Sequence, residues 1–241
     1  MFRNYSKKLL LRSAIVLPAW MIVGMYVASM IIALGYYLFG RLGLSFESIN
    51  ENVLSTVLAV LLYVISAMII IGVPYILTRK KPSLNDLGFS RLPTWTDILI
   101  APAGFVIYII LSSILLMTAT HLLPWFNPEQ VQNTGFGNFG HSLDLVLAFI
   151  MLVVVAPLAE ETLFRGYLFS RLRRDMPLWL ATILTSVVFG FVHGAWNLAF
   201  DTFALSLVLC TLREYTSSIW ASVLLHMIKN ALAFYILFIV H

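Results

Sequence analysis

Three short stretches place polar side chains inside otherwise apolar sequence. The first reads Val155-Ala156-Pro157-Leu158-Ala159-Glu160-Glu161-Thr162-Leu163-Phe164-Arg165-Gly166, the second Phe189-Gly190-Phe191-Val192-His193-Gly194, and the third Leu225-His226-Met227-Ile228-Lys229-Asn230. On a helix Glu161 and Arg165 lie four apart on one face, acid before base, the order that side-chain pairing prefers, so Glu161 is expected to be held by Arg165. Glu160 points about 100° around the helix from Glu161 and needs another partner. Pro157 removes one backbone hydrogen bond just before it and loosens the helix where the carboxylate must project. His226 and Asn230 share a face by the same spacing, as do Phe189 and His193. A carboxylate in a low-dielectric cavity, beside an imidazole that can share its proton, suits a general base acting on water near neutral pH. Asn and His donors aimed at developing negative charge supply an oxyanion hole, typically worth about 2.7 to 4 kcal/mol per donor.

The same atoms also permit a metal site, since two His and one Glu form a catalytic zinc set with an open position for water. Glu160, His193 and His226 are the candidate ligands. The metal-free version is preferred because Asn230 sits naturally as an oxyanion donor and no His-Glu-x-x-His helix is present. The single cysteine, Cys210, allows no intramolecular disulfide and no cysteine zinc cluster.

The elements that must position these groups follow from composition. Of 241 residues, 61% are hydrophobic and only 11% charged, which excludes an ordinary soluble domain. With about 20 apolar residues needed per helical crossing, the chain is expected to be an all-α, polytopic membrane helix bundle of about seven transmembrane helices, one membrane domain over 1–241. The expected spans are Ser13 to Phe39, Val53 to Leu77, Ile98 to Leu123, Leu143 to Ser170, Leu178 to Trp196, the short Leu198 to Leu212, and Ser217 to Val240. The first follows Arg3, Lys7, Lys8 and Arg12 but is too long for a cleavable signal, so it is expected to remain as an anchor.

The net charge of +4 reports topology rather than nucleic-acid binding, because the cations fall in alternate connections. Four precede the first span; then come Arg79, Lys80, Lys81 and Arg91, next Arg171, Arg173 and Arg174, and finally Arg213, while the intervening connections hold only Arg41. The positive-inside rule therefore puts the N-terminus in the cytoplasm and His241 outside, in the plasma membrane of a prokaryote. Thr94-x-x-Asp97 reads as an N-cap for the third span. Pro124 to His141, with Gly135, Gly137, Gly140, Asn133 and Asn138, reads as an irregular outer loop and a lid.

Each remaining intramembrane charge costs roughly 2.5 to 3.5 kcal/mol near a helix centre, so Glu160, Glu161 and Arg165 must face protein or water. A lone buried His or Asn is most often an interhelical hydrogen bonder, but an ionisable cluster at matching depth is read as a site. Lys229 shares the broad His226 and Asn230 face and either snorkels or pairs with a carboxylate. Asp144, His141 and Asp201 are expected at interfaces.

Taken in order, the three stretches resemble the motifs of the CPBP intramembrane protease family, which includes the type II CAAX prenyl endopeptidases and bacteriocin immunity proteins. Glu160, Glu161 and Arg165 match Glu-Glu-x-x-x-Arg, continuing as Gly166-Tyr167-Leu168-Phe169; Phe189 and His193 match Phe-x-x-x-His; His226 and Asn230 match His-x-x-x-Asn after Ser218-Ile219-Trp220. The resemblance covers a core of about 143–238. Two positions depart from it: Ala204 to Leu212 contains no glycine, and Ser217 stands where a glycine commonly precedes Ser-x-Trp. The resemblance implies endoproteolysis inside the membrane, with Glu160 and His193 activating water and His226 and Asn230 holding the oxyanion, while the helical pairing of Glu161 with Arg165 places those two in structural support. The implied partners are the lipid bilayer and a peptide or lipidated-peptide substrate. A small transporter or proton-linked channel, or a non-catalytic immunity or scaffold protein, remains the alternative at this stage.

Overall fold

The computed structural model describes residues 6–46, 48–130, 134–137 and 139–240. Arg3, Asn133, Asn138 and His241, on which parts of the topology and loop expectations rest, lie outside the described residues. Among the described residues seven helices follow one another: α1 (Lys7–Arg41), α2 (Glu51–Thr78), α3 (Trp95–Leu122), α4 (Ser142–Asp175), α5 (Leu178–Phe191), α6 (Trp196–Thr216) and α7 (Trp220–Val240). No strand occurs among the described residues.

Five of the seven, α1, α2, α3, α4 and α7, are long and apolar enough to cross a membrane. Two expected spans are redrawn. The fifth stops at Phe191 rather than Trp196, because Val192 to Gly194 turn the chain and Gly194 takes a left-handed φ of 79° that ends a helix readily only at glycine. With 14 residues α5 spans only about 21 Å. The sixth, expected to be short, is extended at both ends to 21 residues and carries Asp201, Arg213 and Glu214.

Thr94 caps α3 as its sequence suggests: its amide and its hydroxyl both donate to Asp97, at 2.8 and 2.9 Å. The amide of His141 donates to Asp144 at 3.2 Å at the start of α4. Prolines shape two helices. Widened π-type turns at Met68–Gly72 and Ile150–Val155 come just before Pro74 and Pro157. A proline has no N–H and its ring presses on the preceding turn, so opening that turn relieves the crowding. Pro18 and Pro102 sit in α1 and α3 without such a turn, so proline permits the widening without forcing it.

Helix α4 is central, packing against α1, α2, α5, α6 and α7, while α3 packs on α6 and α7. Its C-terminal half buries one residue after another from Leu163 through Phe169, and then Leu172, in a core shared with Phe189 of α5 and Leu205 and Leu209 of α6. The first three helices instead present many exposed large apolar side chains, the surface expected to face lipid. The Gly88 loop is tied to the start of α7: the Ile219 amide donates to the Gly88 carbonyl at 3.0 Å, and the Trp220 indole to the Arg91 carbonyl at 2.8 Å.

Candidate active site

Successive residues of α4 separate two carboxylates. Glu161 is fully enclosed: its Oε1 accepts from Arg165 Nη1 at 2.9 Å and from His226 Nδ1 at 3.0 Å. The Arg165 guanidinium lies 4.4 Å from the centre of the Phe189 ring, a cation–π contact. Glu160 turns the other way. Its Oε1 accepts from the Tyr63 hydroxyl of α2 at 2.5 Å, and its Oε2 lies 3.8 Å from His226 Nε2.

The phenylalanine of the second motif organises the imidazoles. Phe189 stacks edge-on against His193 at 4.8 Å, His226 at 5.9 Å and Phe164 at 4.8 Å, so one buried ring meets both histidines and the arginine. His193 lies in the turn after α5, not on the helix its spacing suggested, yet its Nδ1 stays 2.6 Å from the Phe189 carbonyl. A carbonyl only accepts, so Nδ1 carries the proton and the Nε2 lone pair is left for the cavity.

Asn230 is docked by a consequence of Pro157. In the widened turn the Ala156 amide reaches back to the Met151 carbonyl. The Leu152 carbonyl would next face the proline nitrogen, which has no hydrogen. Asn230 Nδ2 supplies the missing donor at 2.8 Å, retaining its second N–H for the cavity.

One cavity of about 260 Å³ is lined by Glu160, His193, His226 and Asn230 together with Tyr63, Lys229 and Thr134. Thr134 belongs to the connection between α3 and α4, which reads as a lid in the sequence. That segment is anchored by the Gly137 amide on Asn52 Oδ1 at 3.2 Å, by Asn197 Nδ2 on the carbonyls of Pro128 and Gln130, and by Phe139 against Phe238.

Lys229 pairs with a carboxylate: its Nζ lies 3.7 Å from Asp201 Oδ2. Asp201, expected at an interface, is half-buried on α6, and its Oδ1 also accepts from Tyr108 at 2.7 Å and Ser112 at 2.6 Å, both on α3. Neither this cluster nor Tyr63 was anticipated. The i,i+4 spacing of Tyr108 and Ser112 was the one available signal, whereas a tyrosine in an apolar helix carries none. Among the described residues no three His, Cys, Asp or Glu side chains group so as to hold a metal ion.

Residues 142–232 match the family model described as "Rce1-like: Type II CAAX prenyl endopeptidase Rce1-like". Two curated relatives each match about a third of the chain. An Escherichia coli protein named "Uncharacterized 24.3 kDa protein" is 34% identical over 90 residues, covering 35% of this chain and 41% of its own. A Bacillus subtilis (strain 168) protein named "Putative membrane peptidase YdiL" is 27% identical over 92 residues, covering 36% of this chain and 38% of its own. The chain thus spans about two fifths of the length of each. No solved structure matches. The family likeness read from the three motifs is found again over the segment that carries them: residues 142–232 are similar to the Rce1-like type II CAAX prenyl endopeptidases.

Proposed function

We propose that the chain is an integral membrane endopeptidase that hydrolyses peptide bonds of membrane-associated or lipid-modified peptides. The observation that carries the reading is the single cavity on which Glu160, His193, His226 and Asn230 converge from α4, the α5–α6 turn and α7. The family match over 142–232 and the relative named as a membrane peptidase support it.

In this mechanism Glu160 takes a proton from a cavity water as the oxygen attacks the scissile carbonyl, and the free Nε2 of His193 shares that proton and passes it to the leaving amine. The second N–H of Asn230 faces the oxyanion. His226 donates a hydrogen bond from Nδ1 to Glu161, which turns its Nε2 edge toward Glu160 and the oxyanion side of the cavity. Glu161 and Arg165 hold that ring in place. The metal-free version is preferred here because Asn230 keeps an N–H for the oxyanion; Nδ1 of each imidazole is engaged by protein, an arrangement that fits the zinc alternative equally. The alternating cations support a cytoplasmic N-terminus.

The test is quantitative proteomics of membrane fractions from cells carrying the wild type, Glu160→Gln or His193→Ala. Peptides with new termini should appear only with the wild type, while all three proteins insert equally. Undiminished cleavage by Glu160→Gln refutes the reading. Activity lost to a chelator and restored by stoichiometric zinc replaces the metal-free version.

A further inference from the structure

Tyr63 lies on α2, outside the segment that matches the family, yet its hydroxyl sits 2.5 Å from Oε1 of Glu160. The contact is short enough for a charge-assisted hydrogen bond, about twice as strong as a neutral one. Its geometric effect is specific. A carboxylate with both oxygens free can present either to the cavity and can swing about its side-chain torsions. With Oε1 engaged by the phenol, Oε2 is the oxygen left on the His226 side, 3.8 Å from Nε2.

The phenol is itself firmly placed. One turn beyond it, the widened turn Met68–Gly72 of α2 is pinned from α1, where the Trp20 indole donates to the Ile70 carbonyl at 3.1 Å. Towards the other end of α2, buried Asn52 holds the Gly137 amide of the segment over the cavity. Tyr63 thus stands on an element fixed at both sides of the site, the condition for holding a reacting group within a fraction of an ångström.

We propose that Tyr63 is a positioning residue of the reaction, fixing Glu160 through Oε1 so that Oε2 alone receives the proton of the attacking water. The proposal rests on the proteolytic reading of the cavity. The purely structural alternative, in which the phenol only satisfies a half-buried carboxylate, predicts changes in folding without a specific effect on turnover.

The experiment compares wild type, Tyr63→Phe, Glu160→Gln and protein carrying 3-fluorotyrosine at position 63, each in lipid nanodiscs. The probe is a fluorogenic peptide with a palmitoyl anchor. Tyr63→Phe is expected to lower kcat by about ten- to a hundredfold with KM changed less than twofold, the size expected when a reacting group is misplaced. The 3-fluorotyrosine protein keeps the hydroxyl and should recover to within about threefold of wild type, since only loss of the hydrogen bond misplaces the carboxylate. Infrared spectra supply the independent arm. The carboxylate stretch that vanishes in Glu160→Gln should shift in Tyr63→Phe and persist near its wild-type position with 3-fluorotyrosine.

A Tyr63→Phe protein that turns over normally, that changes only KM, or that loses kcat without moving the Glu160 band overturns the proposal. A Tyr63→Phe protein that fails to fold does so too, by marking the phenol as structural. Proteolysis that survives Glu160→Gln instead defeats the reading of the cavity, while the infrared arm still reports whether the phenol holds Glu160.

Discussion

The leading helices and the motif-bearing ones handle charge in opposite ways. In the most apolar window of α4, 33% of residues are buried inside the protein, against 11% in α2. The buried half encloses charge with charge: Glu161 with Arg165 and His226, and Asp201 with Lys229. The leading half supplies uncharged hydroxyls to those same carboxylate-bearing helices. Ser13 of α1 donates to Asp175, Tyr63 of α2 to Glu160, and Tyr108 and Ser112 of α3 to Asp201. Each of the first three helices thus reaches one acid of the later ones. A hydroxyl carries no charge into lipid, so an otherwise bare span can complete a polar site at little insertion cost.

The widest separation between the two kinds of contact should come from Arg165→Met. It leaves Glu161, with 0% exposure, facing only His226, and removing one member of a buried pair costs about 3–5 kcal/mol. The unfolding midpoint of the purified protein in detergent should fall accordingly, with much of the material lost during expression. The double variant Glu161→Leu with Arg165→Met removes both charges and should recover most of that loss. A single variant as stable as wild type would erase the distinction drawn between the halves.

A smaller effect is expected on the hydroxyl side. Tyr108→Phe combined with Ser112→Ala leaves Asp201 with Lys229 as its remaining partner; hydrogen bonds to charged groups contribute about 1.5–3 kcal/mol each, but Asp201, 18% exposed, can take water in place of the lost hydroxyls, which offsets much of both. A combined loss of about 2 kcal/mol in the same unfolding measurement, below that of Arg165→Met, fits an acid that still has a cation beside it. A loss equal to that of Arg165→Met would mean that the hydroxyls do the work of a counter-charge, and the contrast between the halves would fail.

This division also explains what could be read before any coordinates. Seven helices and three polar stretches were visible because charge at membrane depth is costly and therefore conspicuous, and because Glu161 and Arg165 are near enough in sequence for helical spacing to pair them. The end of α5 was misplaced because Val192 is apolar and the break depends on Gly194 adopting a left-handed backbone, which composition does not announce. Tyr63 stayed hidden because its partner is 97 residues away and nothing in α2 marks that tyrosine from its apolar neighbours. The role of Gly166 was equally invisible. A Cβ there would run into the backbone carbonyl of Leu87, a contact made by a loop that folds back beneath α4. Asn230 was placed on the right face, but its anchor on Leu152 depends on a widened turn that spacing arguments assume away.

The smallest expected effect concerns Ser217, where the sequence departs from the glycine of the motif pattern it resembles. Ser217 ends α6 with φ 53° and ψ 20°, the left-handed region, so the turn into α7 is made there without the glycine. A residue with a Cβ pays about 1–2 kcal/mol for that conformation. Glycine loses roughly 0.5–1 kcal/mol more chain entropy on folding, so the two terms nearly offset and Ser217→Gly should stabilise by about 0.5 kcal/mol. Nothing else is lost: the side chain is exposed, and the contact that ties this turn to Ser90 uses the Ser217 carbonyl, at 3.0 Å, which glycine keeps. Ser217→Val, with a branched Cβ in the same backbone conformation, should lower the midpoint instead. If glycine proves no better than serine while valine is tolerated, the turn relaxes out of the left-handed region, and α7 is held in register by the Gly88 and Arg91 carbonyls rather than by the backbone at 217.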